Sequence, residues 1–325
     1  MGGRVANLPN RYSSSFPGEF FARIELNARF PDTWANVEML WQTLSEQQSL
    51  ATSDFSSDTT LRQQTVVGRL FYRGQSNHGN GLSSSLHRLV ANESTRAITE
   101  ELLGKAERSI LHEASSHGLD KNVSPGELLM MLQHHQAPTR LLDVSLKPLE
   151  ALYFAVERAD AKDGRLFVVW LNDQPVLKLA ESDDLPWTQY VLGGGKAASK
   201  WTQSVRLVDE RPLDPRMRAQ EGRFLVGGVQ RAYANLNIWH TKQLRVVERQ
   251  KISMLCIGFL SASPRSSPDT KWPALGWTVR IPAKWKPELR ARLAMINISH
   301  ESMYPDLGSI EWRSQRAARD ALSSV

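Results

Sequence analysis

The close alternation of helix and strand signals between residues 124 and 171 constrains the fold of this chain most. Residues 124–127, with the sequence SPGE, have the spacing of a capping box with proline in the first turn of a helix. That helix is expected to stop before the Ala-Pro pair that follows it, and residues 139–144 predict a short strand. A proline then opens a helix over residues 149–159, and residues 165–171 predict another strand. This alternation favours an α+β fold with a mixed or antiparallel sheet core flanked by helices.

The rest of the chain continues the alternation. Apolar residues at helical spacing from Val37 to Leu44 predict a helix. Residues 66–72 predict a strand, and the chain is expected to turn where that strand ends, at Arg73 and Gly74. Further strands are predicted at residues 204–208, 223–226, 252–260 and 277–281, and further helices at residues 95–117 and 287–295.

The domain organisation follows from the absence of a break in this alternation. We expect a single domain over residues 21–325, with a disordered lead-in over residues 1–20, because the start of the chain is polar and lacks an apolar signal core. Residues 173–200 are polar and rich in turn residues, and an irregular insertion or mobile loop is expected there.

Composition narrows the class of protein. The hydrophobic fraction of 41% is enough for a packed core, and no apolar run approaches the roughly 20 residues that a membrane-spanning helix needs. The single cysteine, Cys256, lies in an apolar run and is expected to be a small buried hydrophobe. We therefore expect a cytoplasmic protein that makes no contact with a membrane.

The positive charge is concentrated in the second part of the chain. From Lys200 to the end there are 21 Lys and Arg against 11 Asp and Glu, whereas the first 199 residues carry 19 against 23. Such asymmetry can mark a surface for nucleic acid or for another macromolecular target. The alternative is a solvated basic face with no partner, since no dense run of basic residues is present.

Several segments together resemble the FRG domain family, named for a Phe-Arg-Gly signature. They are residues 70–76 (LFYRGQS), 85–88 (SLHR), 133–145 (QHHQAPTRLLDVS) with the continuation from Pro148 to Ala155, 218–224 (RAQEGRF) and 298–307 (ISHESMYPDL). The chain departs from the family at Gln136, where glycine is usual, and at Val144, where tryptophan is usual. The first change makes the turn before Pro138 less flexible, and the second removes an aromatic side chain that could wall a pocket.

A looser resemblance is to the ADP-ribosyltransferase fold, and it implies an enzyme that handles NAD. By that resemblance Arg73 at a strand end binds a phosphate or ribose, Ser145 contacts the nicotinamide ribose, and Gln220 takes the place of the catalytic carboxylate. These three residues are the predicted catalytic set. The activity implied is that of an ADP-ribosyltransferase or NAD glycohydrolase, in a toxin or antiphage effector.

The same resemblances predict a nucleotide-like small molecule as ligand, with NAD as the substrate and no metal. The predicted cofactor-binding residues are Arg73, Gly74, Gln75, His135, Thr139, Arg140, Asp143 and Tyr153.

Each of these residues also has a structural interpretation. Arg73 could form a salt bridge, and Arg140 is expected to pair with Asp143. His134 and His135 favour helix capping or a hydrogen bond at a pocket edge over metal binding, because no Cys or spaced His/Glu cluster joins them.

Ser145 could cap the helix that follows it. Two other functions stay open: a non-catalytic nucleotide or nucleic-acid binding module that uses the basic C-terminal region, and a hydrolase that uses His135 with Asp143.

Overall fold

The computed structural model describes residues 16–29, 34–53, 70–93, 97–172, 176–181, 184–188, 200–209, 222–229, 246–259 and 272–304. Eight strands form one mixed sheet in these residues: β1 (Leu70–Gln75), β2 (Leu142–Ser145), β3 (Gly164–Leu171), β4 (Leu177–Lys178), β5 (Arg206–Asp209), β6 (Gly222–Val226), β7 (Ile257–Phe259) and β8 (Ala274–Ile281). Their spatial order is β4-β5-β6-β2-β1-β3-β8-β7. The pairs β4/β5 and β7/β8 at the two edges are parallel, and the pairs between them are antiparallel.

Helices flank this sheet. They are α1 (Phe16–Phe21), α2 (Leu26–Arg29), α3 (Val37–Ser53), α4 (Ser85–Asn92), α5 (Glu100–Ser116), α6 (Pro125–His134), α7 (Pro148–Val156), α8 (Val246–Ile252), α9 (Lys286–Met295) and α10 (His300–Met303). A 3-10 turn, Ala283–Trp285, leads into α9. The α+β class predicted from the sequence is confirmed. None of the described helices combines the length and the apolar character that a membrane crossing requires.

The predicted capping box at the start of α6 is present. The Ser124 hydroxyl accepts a hydrogen bond from the Glu127 backbone N–H at 3.1 Å, and the Glu127 carboxylate accepts one from the Ser124 N–H at 2.8 Å. The helix ends at His134, and Gln136 follows it with a φ of 63°. That left-handed conformation favours glycine, which is the residue usual there in the family that the sequence resembles.

Three predicted elements differ from the observed ones. Of the strand expected at residues 252–260, the structure describes residues 252–259: the helix α8 ends at Ile252, and Ile257–Phe259 is a strand. The chain between them pairs with Leu82, because the Leu82 N–H donates to the Ile252 carbonyl and the Met254 N–H donates to the Leu82 carbonyl. Residues 16–20, assigned to the lead-in, belong to α1, whose Phe21 packs edge-on against Phe167 and Phe259. Residues 1–15 lie outside the described residues.

The third difference concerns the insertion expected at residues 173–200. Its described parts, residues 176–181, 184–188 and Lys200, contribute β4 and a buried apolar cluster that includes Leu179 and Trp187. Apolar side chains are dispersed among the polar residues of this span. They pack against β5, β6 and α6.

The sheet has a weak joint between β1 and β2. Tyr72 and Ser145 are the single residue pair recorded between these two strands, both of which are fully described. By contrast, β1 pairs with β3 through all six of its residues, and β2 pairs with β6 through all four. The sheet is therefore two four-stranded halves that meet at one pair and separate beyond it.

Candidate functional site

A cleft of about 660 Å³ opens where β1 and β2 separate. Its walls come from β1 and β2, the start of α4, the end of α6, one face of α7, the start of β6, and Tyr304. Elements that are far apart in the sequence therefore meet here, because the sheet carries β2 and β6 on one side of the joint and β1 and β3 on the other.

Arg73 bridges the two halves of the sheet at this cleft. Its Nη1 donates to the backbone carbonyl of Asp143 at 2.5 Å and lies 3.4 Å from the Asp143 carboxylate. The guanidinium thus replaces strand pairing that is missing between β1 and β2. The Arg73 side chain is 17% exposed and that of Asp143 is 54% exposed, so the ion pair is screened by solvent and leaves Arg73 available to a ligand. The Arg73 Nε is buried and has no partner among the described residues.

Gly74 stays in β1 and does not turn the chain as the sequence suggested. A Cβ atom built on Gly74 would lie 1.8 Å from the carbonyl oxygen of Ala151 and 2.6 Å from the backbone nitrogen of Ala155. Both atoms belong to α7, which therefore packs directly against the strand backbone. Glycine is required here by close approach, and the strand continues to Gln75.

Asp143 is held by Gln133 as well as by Arg73. The Gln133 Nε2 donates to both carboxylate oxygens of Asp143 at 2.8 Å. The Gln133 Oε1 in turn accepts from the hydroxyl of Thr139, which is fully buried. Thr139 does not line the cleft, but it fixes the orientation of Gln133, which does.

Ser145 lines the cleft at the joint itself. It is almost fully buried, and its Oγ accepts from the Lys147 N–H at 3.0 Å. It does not cap α7, because Lys147 occupies the N-cap position and Pro148 begins the helix. Ser145 pairs with Gly222 of β6, which also lines the cleft. Gln220, the third residue of the predicted catalytic set, lies outside the described residues.

The predicted cofactor-binding residues divide into two groups. Arg73, Gly74, Gln75 and Asp143 line the cleft. His135, Thr139, Arg140 and Tyr153 do not: His135 is exposed after the end of α6, and the other three are buried behind the walls. His134, which precedes it, lines the cleft instead.

Arg140 does not pair with Asp143 as expected. Its side chain is 0% exposed and bonds to the carboxylates of Glu100 and Glu107 on α5. Burial opposes the charge on Arg140, but the two carboxylates outweigh it and raise the pKa of the guanidinium. Trp187 lies against the guanidinium carbon at 4.7 Å. Arg140 is thus enclosed within the protein, away from the cleft.

Several residues in the cleft escaped the sequence analysis. Arg88 lies on α4 within the family-like SLHR segment, and Arg223 is the second residue of β6, within the RAQEGRF segment. Glu157 and Arg158 directly follow α7, and Tyr304 belongs to the ISHESMYPDL segment. Membership of a family-like segment was a signal for Arg88, Arg223 and Tyr304, whereas Glu157 and Arg158 lie just beyond the segment that ends at Ala155. A single sequence does not tell which residues face a common cavity.

The cleft carries more positive than negative charge. Its described lining includes four arginines, Arg73, Arg88, Arg158 and Arg223, and two carboxylates, Asp143 and Glu157. The pKa of Arg88 is lowered, first by the desolvation of its place in the cleft wall and then by the charge of Arg73, while Asp143 opposes the shift. An anion between Arg73 and Arg88 would relieve their repulsion. The described residues contain no group of three or more His, Cys, Asp or Glu side chains arranged to hold a metal ion.

Comparison with known proteins gives one match. Residues 68–164 match the family model of the FRG domain. No curated protein and no solved structure matches the chain. The matched residues include β1, α4, α6, β2 and α7, which supply most of the cleft walls. Residues 68–164 of this chain are therefore an FRG domain.

Proposed function

We propose that the FRG domain binds NAD in the cleft between β1 and β2 and acts on it as an ADP-ribosyltransferase-like enzyme. The observation that carries the proposal is the position of Arg73, which faces a cleft large enough for a nucleotide and has a buried Nε with no partner in the part of the chain that the structure describes. An unpaired buried donor costs free energy unless a ligand or water satisfies it. A phosphate oxygen is a suitable acceptor for a guanidinium.

The neighbours of Arg73 suit the rest of the ligand. Arg88 adds a second cation for a pyrophosphate, and the Ser145 hydroxyl lies where β1 and β2 meet. The Oε1 of Gln75 is a second buried polar atom in the cleft lining without a described partner, and it can accept from a ribose hydroxyl.

The chemistry is the cleavage of the bond between the nicotinamide nitrogen and the ribose C1′. The electron pair of that bond leaves with nicotinamide, and a positive charge develops on the ribose. A nucleophile then bonds to C1′ and gives up a proton: water in a glycohydrolase, or a side chain of a target protein in a transferase. The protein contributes orientation and a negative or dipolar group near the ribose.

The test is to incubate the purified chain with NAD labelled in the adenylate part, and to measure nicotinamide release and label transfer to protein. Arg73→Ala should reduce both by about 100-fold, the scale expected when a charge-stabilising donor is removed. Arg73→Lys should restore part of the activity, because it keeps the charge and loses only the fork of donors.

Arg290 provides a matched control. Like Arg73, it donates from Nη1 to a backbone carbonyl, that of Val156, and pairs with an exposed carboxylate, that of Asp160. It does not line the cleft. The Arg290→Ala variant should therefore keep the wild-type NAD turnover, although it loses a hydrogen bond to a backbone carbonyl and an ion pair like those of Arg73. Absence of NAD turnover, or equal losses in Arg73→Ala and Arg290→Ala, would contradict the proposal.

The alternative of a nucleic-acid binding module has weaker support. Among the described residues of the basic C-terminal region, Arg280, Arg290 and Arg292 are paired with carboxylates, and the ammonium of Lys286 bonds to three backbone carbonyls. These four charged groups therefore already have partners within the protein. A binding module of this class would show affinity for nucleic acid that falls steeply with salt and is unaffected by Arg73→Ala.

A further inference from the structure

The cleft has a second wall whose chemistry differs from that around Arg73. Phe154 lies on α7 and Glu157 is the C-cap of that helix, three residues later and still in helical conformation, so both project from the same face. Tyr304 follows α10 and closes this wall. The wall therefore combines two aromatic rings with one carboxylate, and Arg158 follows Glu157 in the cleft lining, whereas the wall around Arg73 is polar and cationic.

The Glu157 carboxylate is largely withdrawn from solvent. Its side chain is 11% exposed, and its Oε2 accepts from the Tyr304 hydroxyl at 2.8 Å. The cationic partner recorded for it among the described residues is Arg158, at 3.3 Å from Oε1, but the Arg158 side chain is 76% exposed. An exposed cation in contact with water neutralises a carboxylate only weakly. Glu157 thus leaves negative charge in a sheltered part of the cleft.

The aromatic rings beside Glu157 form a corner. The rings of Phe154 and Tyr304 are nearly perpendicular, at 89°, with centroids 6.3 Å apart. His300 lies against Tyr304 at a centroid distance of 4.7 Å and holds the ring from a further side. An aromatic face attracts a cation, and the attraction is stronger where water is excluded. Ring faces and a sheltered carboxylate together favour a flat, positively charged group.

We infer that Phe154, Glu157 and Tyr304 form a subsite for a planar cation, and that its occupant is the positively charged nicotinamide ring of oxidised NAD. This inference rests on the proposed function. The phosphates of the same molecule then lie at the arginine wall, so that each end of the ligand meets the opposite charge. The reduced form, NADH, has a neutral ring and lacks the interaction with Glu157. The cleft therefore selects NAD⁺ over NADH.

The test measures equilibrium binding of NAD⁺, NADH and ADP-ribose, which lacks the ring, to the full chain. Wild-type protein should bind NAD⁺ about tenfold more tightly than NADH, as expected of a desolvated cation site. Glu157→Gln should remove that preference by weakening NAD⁺ alone, and leave NADH and ADP-ribose unchanged. Glu38→Gln is the matched control, because Glu38 is a carboxylate paired with Arg292 outside the cleft, and it should keep the wild-type preference.

A second measurement needs no variant. The N-methylnicotinamide cation and neutral nicotinamide differ mainly in charge, and the cation should compete for the subsite of the wild-type protein at about tenfold lower concentration. Equal binding of NAD⁺, NADH and ADP-ribose, or equal losses for both dinucleotides in Glu157→Gln, would overturn the subsite and leave the proposed function standing. No binding of any of the three would overturn both.

Discussion

At the scale of single residues, burial decides which ionisable side chains of the FRG domain respond to pH. His87 lies on α4, directly before Arg88 of the cleft, and its side chain is buried with an Nε2 that has no described partner. Burial, and then the charge of Arg88, lowers the pKa of His87 from 6.5 to about 4. The neutral imidazole is therefore part of the folded state, and its protonation favours the unfolded chain.

The pH dependence of stability should reveal this histidine. The pKa of His87 is lower in the folded protein than in the unfolded chain. The stabilisation that the neutral imidazole contributes is therefore present above pH 6.5 and is lost as the pH falls toward 4. Between pH 7 and pH 5 the loss due to His87 should be about 2 kcal/mol, measured by urea unfolding at both values. His87→Gln should reduce the loss by that amount, whereas His117→Gln should not, because His117 is exposed on the surface of α5. An unchanged pH dependence in His87→Gln would contradict the assignment.

At this scale the sequence was enough to select Arg73, but it did not reveal the partners of Arg140. The position of Arg73 after an apolar strand segment and before glycine was sufficient to select it, and it lines the cleft together with Ser145. Its binding role stays a prediction. The partner of Arg140, by contrast, was assigned by proximity in sequence, and the observed partners lie on α5, 33 and 40 residues earlier. Only the position of α5 beside Arg140 in the folded protein decides that pairing.

At the scale of elements, the contact between α7 and β1 sets the shape of the cleft. The helix lies so close to the strand that Gly74 has no room for a side chain. The same approach brings Phe154 of α7 and Glu157, the C-cap of that helix, to the cleft that Arg73 also lines. The Arg-Gly pair of the family signature thus combines an arginine that lines the cleft with a glycine that lets α7, on the opposite wall, come close to the strand.

Gly74→Ala should therefore destabilise the protein by about 3 kcal/mol or more, because the added methyl meets backbone atoms that cannot move without shifting α7. Gly79→Ala is the control: its methyl would lie 3.3 Å from the side-chain oxygen of Asn77, a contact that a small shift of that side chain relieves, and the expected change is within about 0.5 kcal/mol. Chemical denaturation of both variants measures the difference. Similar stability of the two variants would show that α7 does not press on the strand.

Element types were more predictable than their ends or their partners. The capping box, the proline-opened α7 and the apolar strand β3 all have local signals, and they form where the sequence placed them. The run at residues 252–260 was misread because its apolar residues suit either a buried helix end or a buried strand. Contact with Leu82 decided between the two, and a contact across that distance has no signature in a single sequence.

At the scale of the whole molecule, the two halves of the sheet meet at a single residue pair between β1 and β2, and a buried cluster around Arg140 holds together the half that contains β2. In this cluster Glu107 accepts from the indole N–H of Trp187, and Glu100 accepts from that of Trp201 and from the Val229 backbone N–H. The cluster links helix α5, Arg140 just before β2, and the chain around β4 to β6 in one hydrogen-bonded network.

Removing Arg140 should loosen this side of the molecule. Arg140→Leu leaves Glu100 and Glu107 buried without their cation, and the expected cost is about 3–5 kcal/mol. Arg292→Leu is the control, because Arg292 pairs with two carboxylates that are about half exposed, and it should cost no more than about 1 kcal/mol. Urea unfolding gives the free energies, and tryptophan fluorescence reports on the stacked rings of Trp187 and Trp201, 5.8 Å apart. If Arg140→Leu loses no more stability than Arg292→Leu, the cluster does not stabilise the half of the sheet that contains β2.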